Sequence, residues 1–225
     1  MHAAIGQALP LAIGVALSPV AIIAVVVMLA TSRARSNGPA FVLGWLLGVG
    51  VVGAVVLVLV ADDAAGQRQL ADRLRWLELV LGIALLIVAA RQYRARPREG
   101  DEAAALPQWI VALDRLGPVQ ALGGGVALVG ANPKNLLLSV GGAASIAATG
   151  IPGDQQALAY AVFAVAAAVG VAAPVVVSLA IGERSVEVLG HLRDWIGRNA
   201  TVVVVTLCLV VAAKLLHAAF VGFAP

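Results

Sequence analysis

The sequence predicts an all-α integral membrane protein of six transmembrane helices, arranged as two inverted three-helix repeats with broken helices at Pro19 and Pro133. Three observations predict it. Charge is scarce: 12% of the 225 residues are charged, against roughly 25% in a water-soluble domain, too few to cover the chain in water. The apolar residues come in long blocks, with no charged side chain in 1–32, 38–61 or 155–182. Proline then recurs at matching places, in "ALSPVAIIA" and in "GANPKNLLL".

A bilayer span takes about 20 apolar residues, which places the spans at about 8–30, 40–61, 74–90, 118–149, 157–181 and 200–222. The first run lacks a basic leader and outlasts the apolar stretch of a secretory signal, about 7–15 residues, so a retained helix is expected. Proline inside a helix removes a hydrogen bond, and in lipid the freed carbonyl needs a partner or a protected cavity. Ser18-Pro19 and Asn132-Pro133 should therefore break the first and fourth spans. Length argues the same for the fourth: a continuous helix from Gly117 to Gly150 would measure about 50 Å, against a hydrocarbon core of about 30 Å.

In the second span "GWLLG" (Gly44–Gly48) has the small-xxx-small spacing that lets helices approach, and "LGGGVALVG" (Leu122–Gly130) could act alike. "GVAL" occurs at Gly14–Leu17 and again at Gly125–Leu128, and "LADRLRWL" before the third span is echoed by "LGHLRDWI" before the sixth. Three spans is an odd number, so a second copy must enter from the opposite side. One membrane domain is expected, with repeat 1 at about 1–90, a loop at 91–117 and repeat 2 at about 118–225. In that loop Trp109, Ile110 and Leu113 have the spacing of a short interfacial helix. Trp76, Trp109 and Trp195 fall near presumed membrane boundaries and Trp45 within a span, so all four read as anchors or packing.

Arginine sets the orientation. If odd-numbered connections share a side, that side carries ten arginines and the other only Arg68, Arg73 and Arg75. The positive-inside rule makes the rich side cytoplasmic and puts both termini outside. "RQYRARPR" (Arg91–Arg98) fits this topogenic role, and a basic patch for lipid or nucleic acid is the other reading. Arginine outnumbers lysine 13 to 2 and alanine abounds, which suits a GC-rich bacterial genome and hence a bacterial inner (plasma) membrane. The single cysteine, Cys208, permits no intrachain disulfide.

Lys134 is the leading candidate for chemistry. From Pro118 to Gly153 it is the one charged side chain, and an ionisable residue inside a membrane is a functional hypothesis by default; snorkelling to water is the alternative. Asn132 and Asn135 offer amides beside it, Pro133 frees a carbonyl, and Ser139 and Ser145 follow on the same segment. Ser18 and Pro19 could complete the pocket from the other half. Carboxylates, which a divalent cation would want, are missing from mid-span, so the set suits an anion: carboxylate, sulfate or phosphate. Lys134 is also a candidate to exchange a proton during a transport cycle. Lys214 and His217 lie nearer a span end, where snorkelling accounts for them. His2, His191 and His217 show no metal-ligand spacing, and neither a G-x-S-x-G elbow nor a phosphate-binding G-x-x-x-x-G-K-[ST] loop is present. No enzyme, metal or cofactor is expected.

"NPKNLLL" in the fourth span, with the proline-broken first span, resembles the lysine-exporter (LysE) superfamily, whose members carry an N-P-K motif at this place. The fuller pattern, "ALSPVAIIAVVVML" followed by "SRARSNGPAFVLGWLLG" and "GANPKNLLL", looks like its actinobacterial GAP family, the sulfolipid- and glycopeptidolipid-addressing (Sap-like) proteins, over essentially the whole chain. The resemblance implies a six-helix membrane protein that helps move glycolipids to the cell envelope. The family motif falls on Asn132, Pro133, Lys134 and Asn135, with Ser18 and Pro19 opposite. The first-span proline pair common in amino-acid exporters is here only Ser18-Pro19, which weakens an amino-acid substrate. Three functions are expected in order: an exporter or export factor for an anionic glycolipid or related amphiphile, alternating access about Lys134; a secondary exporter of amino acids or other small solutes; and a non-transporting scaffold for lipid-synthesis and export proteins. Membrane lipids and the substrate are the expected partners, a homo-oligomer is possible, and nucleic acid is not expected.

Overall fold

A computed structural model describes residues 1–31, 33–61, 67–94, 116–182 and 185–223. The described residues form eight helices and no strand: α1 (His2–Ala16), α2 (Pro19–Leu29), α3 (Ala34–Ala61), α4 (Gln67–Arg94), α5 (Pro118–Gly130), α6 (Pro133–Ala147), α7 (Gly153–Ile181) and α8 (Ser185–Phe223). The expected interfacial helix around Trp109, Ile110 and Leu113 and most of the 91–117 loop lie outside the described residues.

Both breaks stand where the X-Pro steps put them. A proline's ring disfavours the helical conformation of the residue before it. Ser18 (φ −96°, ψ 100°) and Asn132 (φ −90°, ψ 109°) are accordingly extended, and each following proline opens a new helix. At that first helical position the missing N–H costs nothing, because the first turn has no intrahelical acceptor. The prolines therefore start α2 and α6 rather than kink a continuous span. Across the first break the axes of α1 and α2 differ by 53°.

Among the described residues two helices are long and apolar enough to cross a bilayer, Ala34–Leu59 within α3 and Gly153–Ile181 (α7), and α1 with α2 makes a third if the bent pair counts as one span. Pro118–Gly130 and Thr201–His217 are shorter apolar stretches. The helices also outrun the apolar blocks. α4 begins at Gln67 and α8 at Ser185, although their apolar runs begin only near 76 and 199. Polar residues such as Glu, Arg and Gln are good helix formers, so an apolar run does not mark where a helix ends.

α3 lies along α5 and also meets α6; α7 lies along α1 and also meets α2. α2 packs on α8 and α6 on α4, while α4 pairs with α8 and α3 with α7. The α3–α7 seam is stitched in both directions: Trp45 Nε1 donates to the Ala167 carbonyl (3.1 Å) and Tyr160 Oη to that of Val49 (3.0 Å). Trp45 is fully buried, so it packs and bonds within the core, whereas Trp76 and Trp195 are exposed and suit interfacial anchoring.

The glycine motifs mark the closest helix approaches. A Cβ on Gly44 would fall on the Leu122 carbonyl, one on Gly48 would crowd Val126 and Val129, and one on Gly125 would meet the backbone of Phe41 and Trp45. "GWLLG" is thus a true contact motif between α3 and α5. Of the glycines in "LGGGVALVG", Gly123, Gly124 and Gly130 face open space and Gly125 alone is needed. A matching approach joins α7 to α1, where a Cβ on Gly170 would fall on the Ala16 carbonyl.

Candidate functional site

Breaking a helix exposes carbonyls at the end of its first piece. α1 ends with Leu17 N donating back to the Ile13 carbonyl (3.0 Å), which leaves the Gly14 and Leu17 oxygens without helical donors. Lys134 supplies them. Its Nζ donates to the Gly14 carbonyl at 2.7 Å and to the Leu17 carbonyl at 3.3 Å. Lys134 is the second residue of α6, and long helical side chains lean back toward the helix N-terminus; that lean carries the ammonium across the break to α1.

The lysine is 3% exposed, so it does not snorkel. A lysine at the centre of a span costs about 2.5–3.5 kcal/mol on insertion scales. A hydrogen bond involving a charged group contributes about 1.5–3 kcal/mol, and the negative end of α1's dipole adds to the two made here. The cost is therefore offset locally, without a carboxylate. No Asp or Glu among the described residues pairs with this amine; its Nζ partners are the two carbonyls.

Asn135 does for α5 what Lys134 does for α1. Its Nδ2 donates to the Leu128 carbonyl, near the end of α5 (3.2 Å), and to Ser18 Oγ at the other break (3.1 Å). Asn132 caps its own helix, its Oδ1 accepting from the Lys134 backbone N–H at 3.1 Å. Ser18 makes no such cap for α2; its oxygen accepts from Asn135 instead, and among the described residues its hydroxyl proton has no acceptor. Asn135 Oδ1 is buried and makes no hydrogen bond. Replacing Asn135 with leucine would remove that orphan but strand two acceptors. The net expectation is a loss of about 2 kcal/mol, read as a fall of roughly 4–8 °C in the unfolding midpoint of detergent-solubilised protein.

A pocket of about 270 Å³ opens on this cluster. Ser18, Pro19, Asn132, Pro133 and Lys134 line it, so five of the residues singled out from the sequence meet there. Asn135 holds the cluster together from within. Ser139 does not join: it is fully buried, its carbonyl faces Tyr160 Oη at 3.5 Å and its own hydroxyl makes no hydrogen bond. The first turns of α2 and α6 both reach the pocket, and helix N-termini present amide dipoles favourable to anions. Its remaining walls come from Val20 on α2, Val88, Arg91 and Gln92 on α4, and Val204 on α8.

Arg91 and Gln92 were not placed at this site by the sequence reading, which gave the Arg91–Arg98 cluster a topogenic role first and a basic lipid or nucleic-acid patch second. A signal was available in the spacing: Val88, Arg91 and Gln92 stand at i, i+3 and i+4, one helix face. Lys214, expected to snorkel, donates from Nζ to the Gln7 carbonyl of α1. No group of three or more His, Cys, Asp or Glu side chains with metal-binding placement occurs among the described residues.

In comparisons with known proteins, the family model described as "Sap, sulfolipid-1-addressing protein" matches residues 8–220. Searches of curated proteins and of solved structures gave no match.

Proposed function

We propose that this chain, which belongs to the Sap, sulfolipid-1-addressing protein family, is a bacterial inner-membrane export factor that moves an anionic amphiphile outward through the Lys134 pocket. The observation that carries this is the buried ammonium itself. It sits on the wall of a pocket, bonded to two backbone carbonyls, with no Asp or Glu paired to it among the described residues. The family's name speaks of a sulfolipid, whose headgroup would be anionic. The protein's part is binding and passage rather than bond chemistry.

Six spans in two inverted halves fit this role: α1 with α2, α3, α4, α5 with α6, α7 and α8. Exchanging α1–α4 for α5–α8 carries α3–α5 onto α7–α1, α3–α6 onto α7–α2, α2–α8 onto α6–α4 and α2–α3 onto α6–α7; α1–α6, α1–α8, α7–α8 and α5–α6 have no comparable counterpart among the described residues. Broken helices at corresponding places in inverted halves characterise midplane substrate sites. The Arg91 rim belongs to the arginine-rich side, so the pocket opens toward the cytoplasm and the amphiphile would load from there.

The size of the pocket favours a second reading. About 270 Å³ holds a headgroup or a small solute, not a whole glycolipid, so a solute exporter of the same architecture stands as the alternative. Comparing a strain lacking the chain with its complemented parent separates the two. The expected result is an anionic lipid that leaves the surface extract and accumulates inside, with amino acids in the medium unchanged. An amino acid retained by the cells, with surface lipids intact, would establish the alternative.

A further inference from the structure

The pocket holds two cations from different places in the chain. Lys134 is its buried cation, and Arg91, three residues before the end of α4, is its exposed one. Neither has a carboxylate partner among the described residues. On the same pocket lining, Ser18 accepts from Asn135, and its own proton has no acceptor among the described residues. A single topogenic arginine would have no reason to share a pocket with a buried ammonium. Two cations lining one pocket, with no carboxylate paired to either among the described residues, make it electropositive and favour an anion there.

We propose that Arg91 is a specificity-determining residue that, with Lys134, makes a two-cation subsite for a tetrahedral oxyanion ester, a sulfate or phosphate headgroup. This rests on the proposed anionic substrate and narrows it. A guanidinium presents paired N–H donors that match two oxygens of one oxyanion, while an ammonium acts as a point charge. Arg91 therefore takes the outer oxygens and Lys134 the inner one, with the Ser18 hydroxyl as a third donor. A zwitterionic amino acid is disfavoured, because its ammonium would face two cations and no carboxylate among the described lining residues. Val88 and Val204 continue the wall in apolar surface, which suits the first methylenes of a chain attached to the ester. The same oxyanion could be free in solution or carried by a lipid.

The test is binding to full-length protein in an uncharged detergent, followed by ligand-induced stabilisation. The probes are inorganic sulfate, inorganic phosphate, cholesterol sulfate and free lysine. Arg91→Gln is compared with Arg94→Gln, which removes the same charge from the same last turn outside the pocket. Wild-type protein is expected to bind cholesterol sulfate above either inorganic ion and to ignore lysine. Arg91→Gln should weaken cholesterol sulfate by about tenfold or more, Arg91→Lys should recover part of that, and Arg94→Gln should leave it unchanged. Tighter binding of an inorganic ion than of the ester would identify a free-anion site with the same two cations. Equal losses in Arg91→Gln and Arg94→Gln would reduce Arg91 to general surface charge and overturn the proposal. Loss in Lys134→Met with none in Arg91→Gln would also overturn it, while leaving the Lys134 export site intact. No binding of any anion by wild-type protein would remove both.

Discussion

Lys134→Met is expected to abolish export: cells carrying it should resemble the strain lacking the chain, with the amphiphile missing from the surface and retained inside. The ammonium is the one buried charge at the pocket, and truncating one partner of a buried charged contact typically costs about 2–5 kcal/mol. The lower bound corresponds to about a thirtyfold loss of affinity for the anion, from about 1.4 kcal/mol per factor of ten. A structural cost runs beside it. Methionine leaves the Gly14 and Leu17 carbonyls unbonded, and each orphaned buried acceptor costs about 1–3 kcal/mol. Abundance in the membrane must therefore be measured with export. Lys134→Gln separates the two effects, since a neutral amide can still donate to one of those carbonyls. The expected outcome is a glutamine variant that accumulates better than methionine but exports no better. Wild-type export from the glutamine variant would mean that the positive charge is not used.

The sequence made the breaks readable because they depend on local chemistry. Asn132-Pro133 lies in a run too long for one span, and the residue before a proline leaves the helical region whatever surrounds it. Lys134 was conspicuous for the same reason, a lone charge in an apolar block. Its partners were not readable: the Gly14 and Leu17 carbonyls are 120 and 117 residues away, and nothing local marks a backbone oxygen as an acceptor. Arg91 shows the opposite failure. Its charge told which side of the membrane it prefers but not how near it comes to the first break, because that depends on how α4 packs against α8 and α6. Ser139 was grouped with the site by its place on α6, but one further turn carries it away from the pocket and into contact with Tyr160. The spans read at about 74–90 and 200–222 do not mark the helix starts at Gln67 and Ser185, because apolar runs report hydropathy and not helix length.

The second large effect is expected from the glycines. Gly44→Leu, Gly125→Leu and Gly170→Leu should each prevent recovery of folded protein, whereas Gly124→Leu should fold normally. Overpacking a core with a few methylenes usually costs about 1–3 kcal/mol because neighbouring side chains can shift. At these three positions the neighbour is backbone: the Leu122 carbonyl for Gly44, the Phe41 and Trp45 main chain for Gly125, the Ala16 carbonyl for Gly170. No rotamer change relieves such a clash, so the helices must separate. A Cβ at Gly124 meets nothing within 4 Å, and alanine there should even stabilise by up to about 1 kcal/mol through helix propensity. Monodisperse elution and the unfolding midpoint in detergent would report each case. The comparison between Gly44 and Gly170 carries further weight. One holds α3 against α5, the other α7 against α1, and these are the same contact if the chain consists of two corresponding halves. Alanine at either should then destabilise to a similar degree, and each loss should be largest at the broken helix it supports. A protein that tolerated alanine at Gly170 but not at Gly44 would carry the close approach in one half alone, and the case for two equivalent halves around Lys134 would fall with it.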